Sequence, residues 1–422
     1  MAERILIKPS ILKGEVNSIT SKTYGHRMII LSALSKDEST LIIGEYNEDL
    51  CATLNCIKNL GANYQIDKDE LRVLPIELSP KEVSLNCKES GSTLRFIIPV
   101  ATALYDRTFI SGENSLKKRP IKPLLEALSK SGVKFSSTSL PIKTEGKFEG
   151  GEIELPGNIS SQFVTGILLA STLIDRDTEI TLTSPLESKA YVDVTLEVLK
   201  DYGVKVIELE NGYYVEKNQR PMAPKVQRVQ GDWSNGAALL VAGAMEGDVT
   251  IRGLKLDSSQ GDRVILDILK SFGADLKIDN SIQVKSLFKK PIEMDINECP
   301  DLLPVLAILS CSTKGVSKFF NGRRLRLKES DRLKNSMDLI NRLGGKAMVL
   351  EDDLIVHGMG SLNGGVVSSY NDHRMVMAAT IASTISQGEI VIDGYRAIDK
   401  SYPKFFEDFK TLGGKCIELD NW

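Results

Sequence analysis

The chain has 422 residues, 42% of them hydrophobic and 26% charged, with a net charge of −3; it is long enough for two or three cores, and its overall field attracts neither nucleic acid nor an anionic membrane. No run of eighteen apolar residues is present to cross a bilayer and MAERILIKPS lacks a signal-peptide core, so the protein is expected in the cytoplasm. Six cysteines without CxxC pairing and three histidines, His26, His357 and His373, at no ligand spacing predict free buried thiols and neither metal nor other cofactor.

The chain opens with ERILIKP, a strand pattern with no helix before it. A phrase of the form L-x-x-L-x-x-x-G, running into a short strand, then recurs six times, ending at Gly61, Gly132, Gly203, Gly273, Gly344 and Gly413. The spacings of 71, 71, 70, 71 and 69 residues define a repeat. Each copy predicts a helix closed by a left-handed glycine and then a strand, as in LKDYGVKVIEL. In copies one, three, four and five a polar turn (DKDE, ENG, DNS, EDD) leads to a second strand. The sixth copy stops at GGKCIELDNW after its first strand, so the unpaired N-terminal strand is expected to complete it. KNQRPMAPKVQRVQGD, polar and proline-bearing near residues 217–230, predicts a joint between three repeats and three. With a second crossing near 14–21, the expected domains are 21–229 and 1–20 plus 230–422, forming a double-hinged cleft.

Polar clusters punctuate the repeats. TSKTYGHR offers Lys22, Thr23 and Arg27; ESGSTLRF offers Gly91, Ser92 and Arg95; KKRPI, Arg119; ISSQF, Ser160, Ser161 and Gln162; ESKAY, Ser188 and Tyr191. SGST and ISSQF each read either as a plain helix cap or, with amides and hydroxyls beside an arginine, as a phosphate site. Further on come Asp301 in ECPDLLP, Lys328, Glu329 and Arg332 in KESDRL, Asp372, His373 and Arg374 in NDHRM, and Lys400 in IDKSYPKFF. KESDRL also suits the start of a solvated helix, whereas NDHRM leads into MVMAATIAS, which must be buried. Lys22, Arg27, Arg119, Arg332, Arg374 and Lys400 together balance two ligands that each carry a phosphate and a carboxylate.

SK followed by HR, then SGSTLR, RPI, SSQF, SKxY, GDWS, QGD, CPD, KESDRL, DHRM and a late lysine before proline resemble, in order and over the whole chain, the 5-enolpyruvylshikimate-3-phosphate synthase family. The resemblance implies an α/β, two-lobed enolpyruvyl transferase fold, an inside-out α/β barrel of six βαβαββ repeats with three per lobe. It implies transfer of the enolpyruvyl group of phosphoenolpyruvate to the 5-hydroxyl of shikimate 3-phosphate, with release of phosphate through a tetrahedral intermediate. The expected partners are those two small molecules, with no nucleic acid or membrane, and the expected state is a monomer.

By position, the resemblance implies Ser160, Ser161, Ser188 and Lys328 for the shikimate phosphate and Thr23 and Arg27 for its carboxylate. Tyr191, Lys22, Gln162, Asp301 and Arg324 complete that site. For phosphoenolpyruvate it implies Lys22, Gly91, Arg119, Gln162, Arg332, Arg374 and Lys400. The reaction needs one group to take the proton of a secondary alcohol and another to protonate, then deprotonate, the vinyl carbon. Asp301 and Glu329 are the respective candidates, with Lys22 and His373 as further catalytic residues. Glu89 and Arg324 stand where the family has asparagines. The related UDP-N-acetylglucosamine enolpyruvyl transferases carry a cysteine in the loop before RP; DRTFISGENSLKKRP has none.

Overall fold

All six repeat glycines have φ between +74° and +105°, a left-handed conformation in which a side chain is strained. Each follows the end of the second helix of its repeat: Glu48–Asn59, Lys122–Lys130, Ala190–Asp201, Ile265–Phe272, Arg332–Arg342 and Phe405–Thr411. A strand begins two or three residues later. The second repeat shows the full plan: strand Val83–Asn86, helix Gly91–Leu104, strand Arg107–Ser111, helix Lys122–Lys130, and the antiparallel strands Lys134–Phe135 and Ile142–Glu145. The first two strands run parallel, Ile142–Glu145 lies antiparallel to Arg107–Ser111, and Lys134–Phe135 takes the edge.

Six four-stranded sheets of this kind are present in the computed structural model, which describes residues 3–78 and 82–419. They fall into two compact units, Thr20–Val229 and Met1–Ile19 with Gln230–Trp422, each with its own apolar core. The first helix of each repeat is Lys22–Leu34, Gly91–Leu104, Ser161–Ser171, Trp233–Glu246, Leu303–Cys311 or His373–Ile381. These six are almost wholly buried, because a helix that is apolar on most sides has no face to offer water. The second helices bury one face only, as Leu124, Leu125, Ala127 and Leu128 of Lys122–Lys130 show.

Arg4–Lys8 lies between Ile390–Asp393 and Lys415–Leu419, antiparallel to both, and so completes the sixth repeat. The two crossings expected from sequence, near 14–21 and 217–230, each contain or overlap a strand. Lys13–Asn17 precedes the first repeat in the chain yet pairs in parallel with Asp248–Arg252 of the fourth. Val226–Arg228 precedes the fourth repeat yet pairs in parallel with Ser39–Ile42 of the first. No apolar alternation marks Val226–Arg228, because an edge strand held by main-chain bonds buries little side chain. Cys51 is exposed and Cys416 half-buried, which corrects the expectation of uniformly buried thiols; all six cysteines are free. Among the described residues no His, Cys, Asp or Glu cluster is placed to hold a metal ion, and no helix is long and apolar enough to cross a membrane.

Candidate active site

The residues singled out from sequence collect at helix starts, where unpaired N–H groups and the helix dipole favour anions. Lys22, Gly91, Ser161 and His373 are each the first residue of a buried helix; Asp301 lies in the turn Pro300–Leu302 before Leu303–Cys311. Arg332 opens a second helix, and Tyr191 is the second residue of another, Ala190–Asp201.

In the unit Thr20–Val229, the Lys22 ammonium is 3.2 Å from the Asp49 carboxylate, and both side chains are largely buried. Arg27 is buried and donates from Nε to Thr195 Oγ1 (2.8 Å), from Nη1 to the Thr23 carbonyl (2.6 Å), and from Nη2 to the Tyr191 carbonyl (2.8 Å). Burial pulls its pKa down to about 9, which leaves it a cation at neutral pH. Its neighbour His26 is held neutral, first by burial and then by Lys22 and Arg27, with Nδ1 2.7 Å from Thr53 Oγ1.

A Cβ on Gly91 would lie 2.4 Å from Arg119 Nη1, so the Arg119 guanidinium rests against bare backbone at this helix start. Arg95 donates from Nη1 to Gln162 Oε1 (2.6 Å), and Gln162 Nε2 donates to Ser92 Oγ (2.8 Å), which fixes the orientation of that amide. Ser160 caps its helix by accepting from Gln162 N, and Ser188 has φ of +54°. Glu89 accepts from Ser115 N (3.3 Å) in the turn Asn114–Lys118, just before Arg119. The Glu89 carboxylate therefore braces the Arg119 loop.

In the other unit the site is a network of paired charges. Arg332, 1% exposed, donates from Nη1 to Asp301 (2.7 Å), from Nη2 to Glu329 (2.7 Å) and from Nε to Asp372 (2.8 Å). Asp372 also accepts from Ser330 Oγ and from the Arg374 amide. Asp301 lies 3.1 Å from Lys328 and 3.8 Å from Arg374. Burial alone would raise the Asp301 carboxyl, but Lys328, Arg332 and Arg374 outweigh it and hold the group well below the usual carboxylate range. Lys328 is lowered by burial, with Arg324 and Arg332 adding to the effect. Lys400 is buried and donates to the Asn371 carbonyl (2.9 Å); His373 Nδ1 is 3.9 Å from Asp372.

Three residues of this arrangement carried no assigned role from sequence: Asp49, Asn235 and Asp262. All stand near helix starts, within YNEDLC, GDWSN and QGD, and each alone reads as an ordinary capping residue. Asp262 is buried and accepts from the Ser234 hydroxyl. Its carboxyl is pushed up to about 6, first by burial and then by Asp301, against the opposing pull of Arg374 and Ser234. An unfolded aspartate titrates near about 3.9, so ionising Asp262 weakens the fold progressively from there up to about pH 6 and by a constant amount above. Asp262→Asn should therefore gain stability relative to the parent between about pH 4 and pH 7, by on the order of 2 kcal/mol. Urea midpoints across that range check this; a pH-independent difference would show that Asp262 ionises freely.

A family model described as EPSP synthase (3-phosphoshikimate 1-carboxyvinyltransferase) matches residues 6–409. A 3-phosphoshikimate 1-carboxyvinyltransferase of Clostridium novyi is 39% identical over 100% of this chain and 99% of its own length. One from Clostridium beijerinckii is 38% identical over 99% of this chain and 98% of that protein. The solved EPSP synthase of Acinetobacter baumannii shares the fold, with a TM-score of 0.85 at 24% identity over 99% of this chain and 100% of that one. With the family model spanning nearly the whole chain and relatives this similar along their full length, the chain belongs to the EPSP synthase (3-phosphoshikimate 1-carboxyvinyltransferase) family.

Proposed function

We propose that this enzyme transfers the enolpyruvyl group of phosphoenolpyruvate to the 5-hydroxyl of shikimate 3-phosphate and releases phosphate, acting as a cytoplasmic monomer without metal or other cofactor. The observation that carries the reading is the Arg332 fork, whose two terminal nitrogens each hold at 2.7 Å one of the two carboxylates the chemistry requires. Asp301 takes the proton of the attacking hydroxyl; Glu329 protonates the vinyl carbon and later removes a proton from the methyl group. The fork orients both carboxyl groups before substrate arrives. Lys22 and His373 complete the catalytic set.

Ser160, Ser161, Ser188 and Lys328 hold the shikimate phosphate, Thr23 and Arg27 its carboxylate, and Gln162, Tyr191 and Arg324 the rest of that substrate. Gly91, Arg119, Gln162, Arg332, Arg374 and Lys400, with Lys22, hold phosphoenolpyruvate. Lys328 has two calls on its charge, since its ammonium also sits 3.1 Å from Asp301. When the shikimate phosphate draws Lys328 away, Asp301 loses one of the cations that depress it and becomes a better base. Substrate binding thus prepares the proton acceptor.

Phosphate release measured with shikimate 3-phosphate, and in parallel with UDP-N-acetylglucosamine, tests the function. Turnover with the first acceptor alone is expected; release with the sugar nucleotide would move the chain to the sister activity. Gly91→Ala is expected to displace Arg119, because the new methyl would lie 2.4 Å from its Nη1. That displacement should lower kcat/KM for phosphoenolpyruvate by about 10- to 100-fold and leave KM for shikimate 3-phosphate nearly unchanged. Steady-state kinetics with each substrate varied in turn decide it.

A further inference from the structure

The fourth repeat supplies none of the substrate contacts assigned above, yet the start of its buried helix Trp233–Glu246 carries a wholly buried polar side chain, Asn235. Its Oδ1 accepts from Ser401 Oγ at 2.9 Å and from Arg374 Nη1 at 3.4 Å. Its Nδ2 is buried without a hydrogen-bond partner among the described residues. An arginine only donates, so the amide cannot be turned round to relieve that Nδ2. A buried, unpaired N–H pair is destabilising, and an apolar side chain of similar volume, such as leucine, would occupy the space without it. What an asparagine adds here is the reach of its oxygen to two segments at once.

Those segments carry two of the cations. Arg374 follows Asn371 by three residues, and Ser401 follows Lys400 directly. The Lys400 ammonium donates back to the Asn371 carbonyl, so the bonds form a closed circuit: Arg374 to Asn235, Asn235 to Ser401, and Lys400 to Asn371. Tyr370 and Asn371 both have positive φ, +52° and +56°, so the backbone entering Asp372, His373 and Arg374 is strained and needs tethering. A ligand that takes the Lys400 ammonium competes with the Lys400 to Asn371 link, while Asn235 keeps its own hydrogen-bonded tie to both segments.

We infer that Asn235 is a positioning residue for phosphoenolpyruvate: by bridging Arg374 and Ser401 it holds Arg374 and Lys400 in register for an anion that both must grip. The inference rests on the assignment of these two cations to phosphoenolpyruvate made above. The test is steady-state kinetics of the full chain carrying Asn235→Leu, which keeps volume and removes the acceptor, beside Asn235→Asp, which keeps the acceptor. Asn235→Leu is expected to raise KM for phosphoenolpyruvate about tenfold or more, with KM for shikimate 3-phosphate within about twofold. Asn235→Asp is expected to recover most of that loss.

An unchanged phosphoenolpyruvate KM in Asn235→Leu, or an aspartate variant as poor as the leucine one, overturns the proposal. Circular dichroism and melting show whether Asn235→Leu folds; where it does not, Ser401→Ala decides, with a raised phosphoenolpyruvate KM expected and an unchanged one fatal. Arg374→Lys and Lys400→Met run alongside. If those two leave phosphoenolpyruvate KM untouched, the assignment of the cations fails and takes the inference with it. If they raise it and Asn235→Leu does not, the positioning role alone fails.

Discussion

Asp301→Asn is expected to lower kcat by about 10²- to 10⁴-fold and to destabilise the protein by up to about 3 kcal/mol. The amide keeps the shape of the side chain and an oxygen for Arg332 Nη1, so the fork is not torn apart. What disappears is the charge on which Lys328, Arg332 and Arg374 all depend. Three cations in a largely buried cluster then repel one another with one counter-charge fewer. Lys328, already lowered by burial, gives up its proton more readily. The pH profile should show this as weaker binding of shikimate 3-phosphate on the alkaline side. Phosphate release in a single turnover, set beside a urea unfolding curve, separates the chemical loss from the structural one. A variant that turns over near the parent rate would remove Asp301 from its role as base.

Glu329→Gln is the second large effect, and it should differ in kind. The Glu329 carboxylate accepts a hydrogen bond from Arg332 Nη2, and the glutamine side chain retains an oxygen for it. Asp301 and Asp372 continue to neutralise Arg332. Stability should therefore change by less than about 1 kcal/mol, while kcat falls by about 10²- to 10⁴-fold. The sharper readout is isotopic. In deuterium oxide the parent enzyme is expected, through reversible protonation of the vinyl carbon, to wash deuterium into the methylene of unreacted phosphoenolpyruvate, and the variant is not. Deuterium entering at the parent rate would assign that proton transfer to another group.

The repeat was legible because its glycines are required by geometry: a left-handed residue after each second helix must recur wherever the unit recurs. The candidate site was legible as a set of short polar motifs that interrupt apolar runs, and most of these motifs stand at or beside helix starts. Asp49, Asn235 and Asp262 carry no distinctive signal of their own, because a single Asp or Asn near a helix start serves capping equally well. The repeat itself held the missing signal. Asp49 stands near the start of a second helix, as Arg332 does, and Asp262 precedes one; Asn235 stands near the start of a first helix, as Lys22 does. The paired strands Lys13–Asn17 and Val226–Arg228 were hidden for another reason: parallel partners more than 180 residues away leave no local turn to announce them.

The placement of Arg4–Lys8 also sets a timetable. Its partners, Ile390–Asp393 and Lys415–Leu419, come far later in the chain, so at about 5–20 residues per second the strand waits roughly 20–80 s for its sheet. Thr20–Val229 meanwhile has every strand it needs once Arg228 has emerged. While it waits, the segment shows water the side chains of Ile5 and Ile7, both buried in the finished protein. The charges of Arg4 and Lys8 at its two ends discourage neighbouring nascent chains from pairing with it. Order of synthesis thus gives one half of the enzyme a head start, and the other half is sealed by joining an early strand to two late ones.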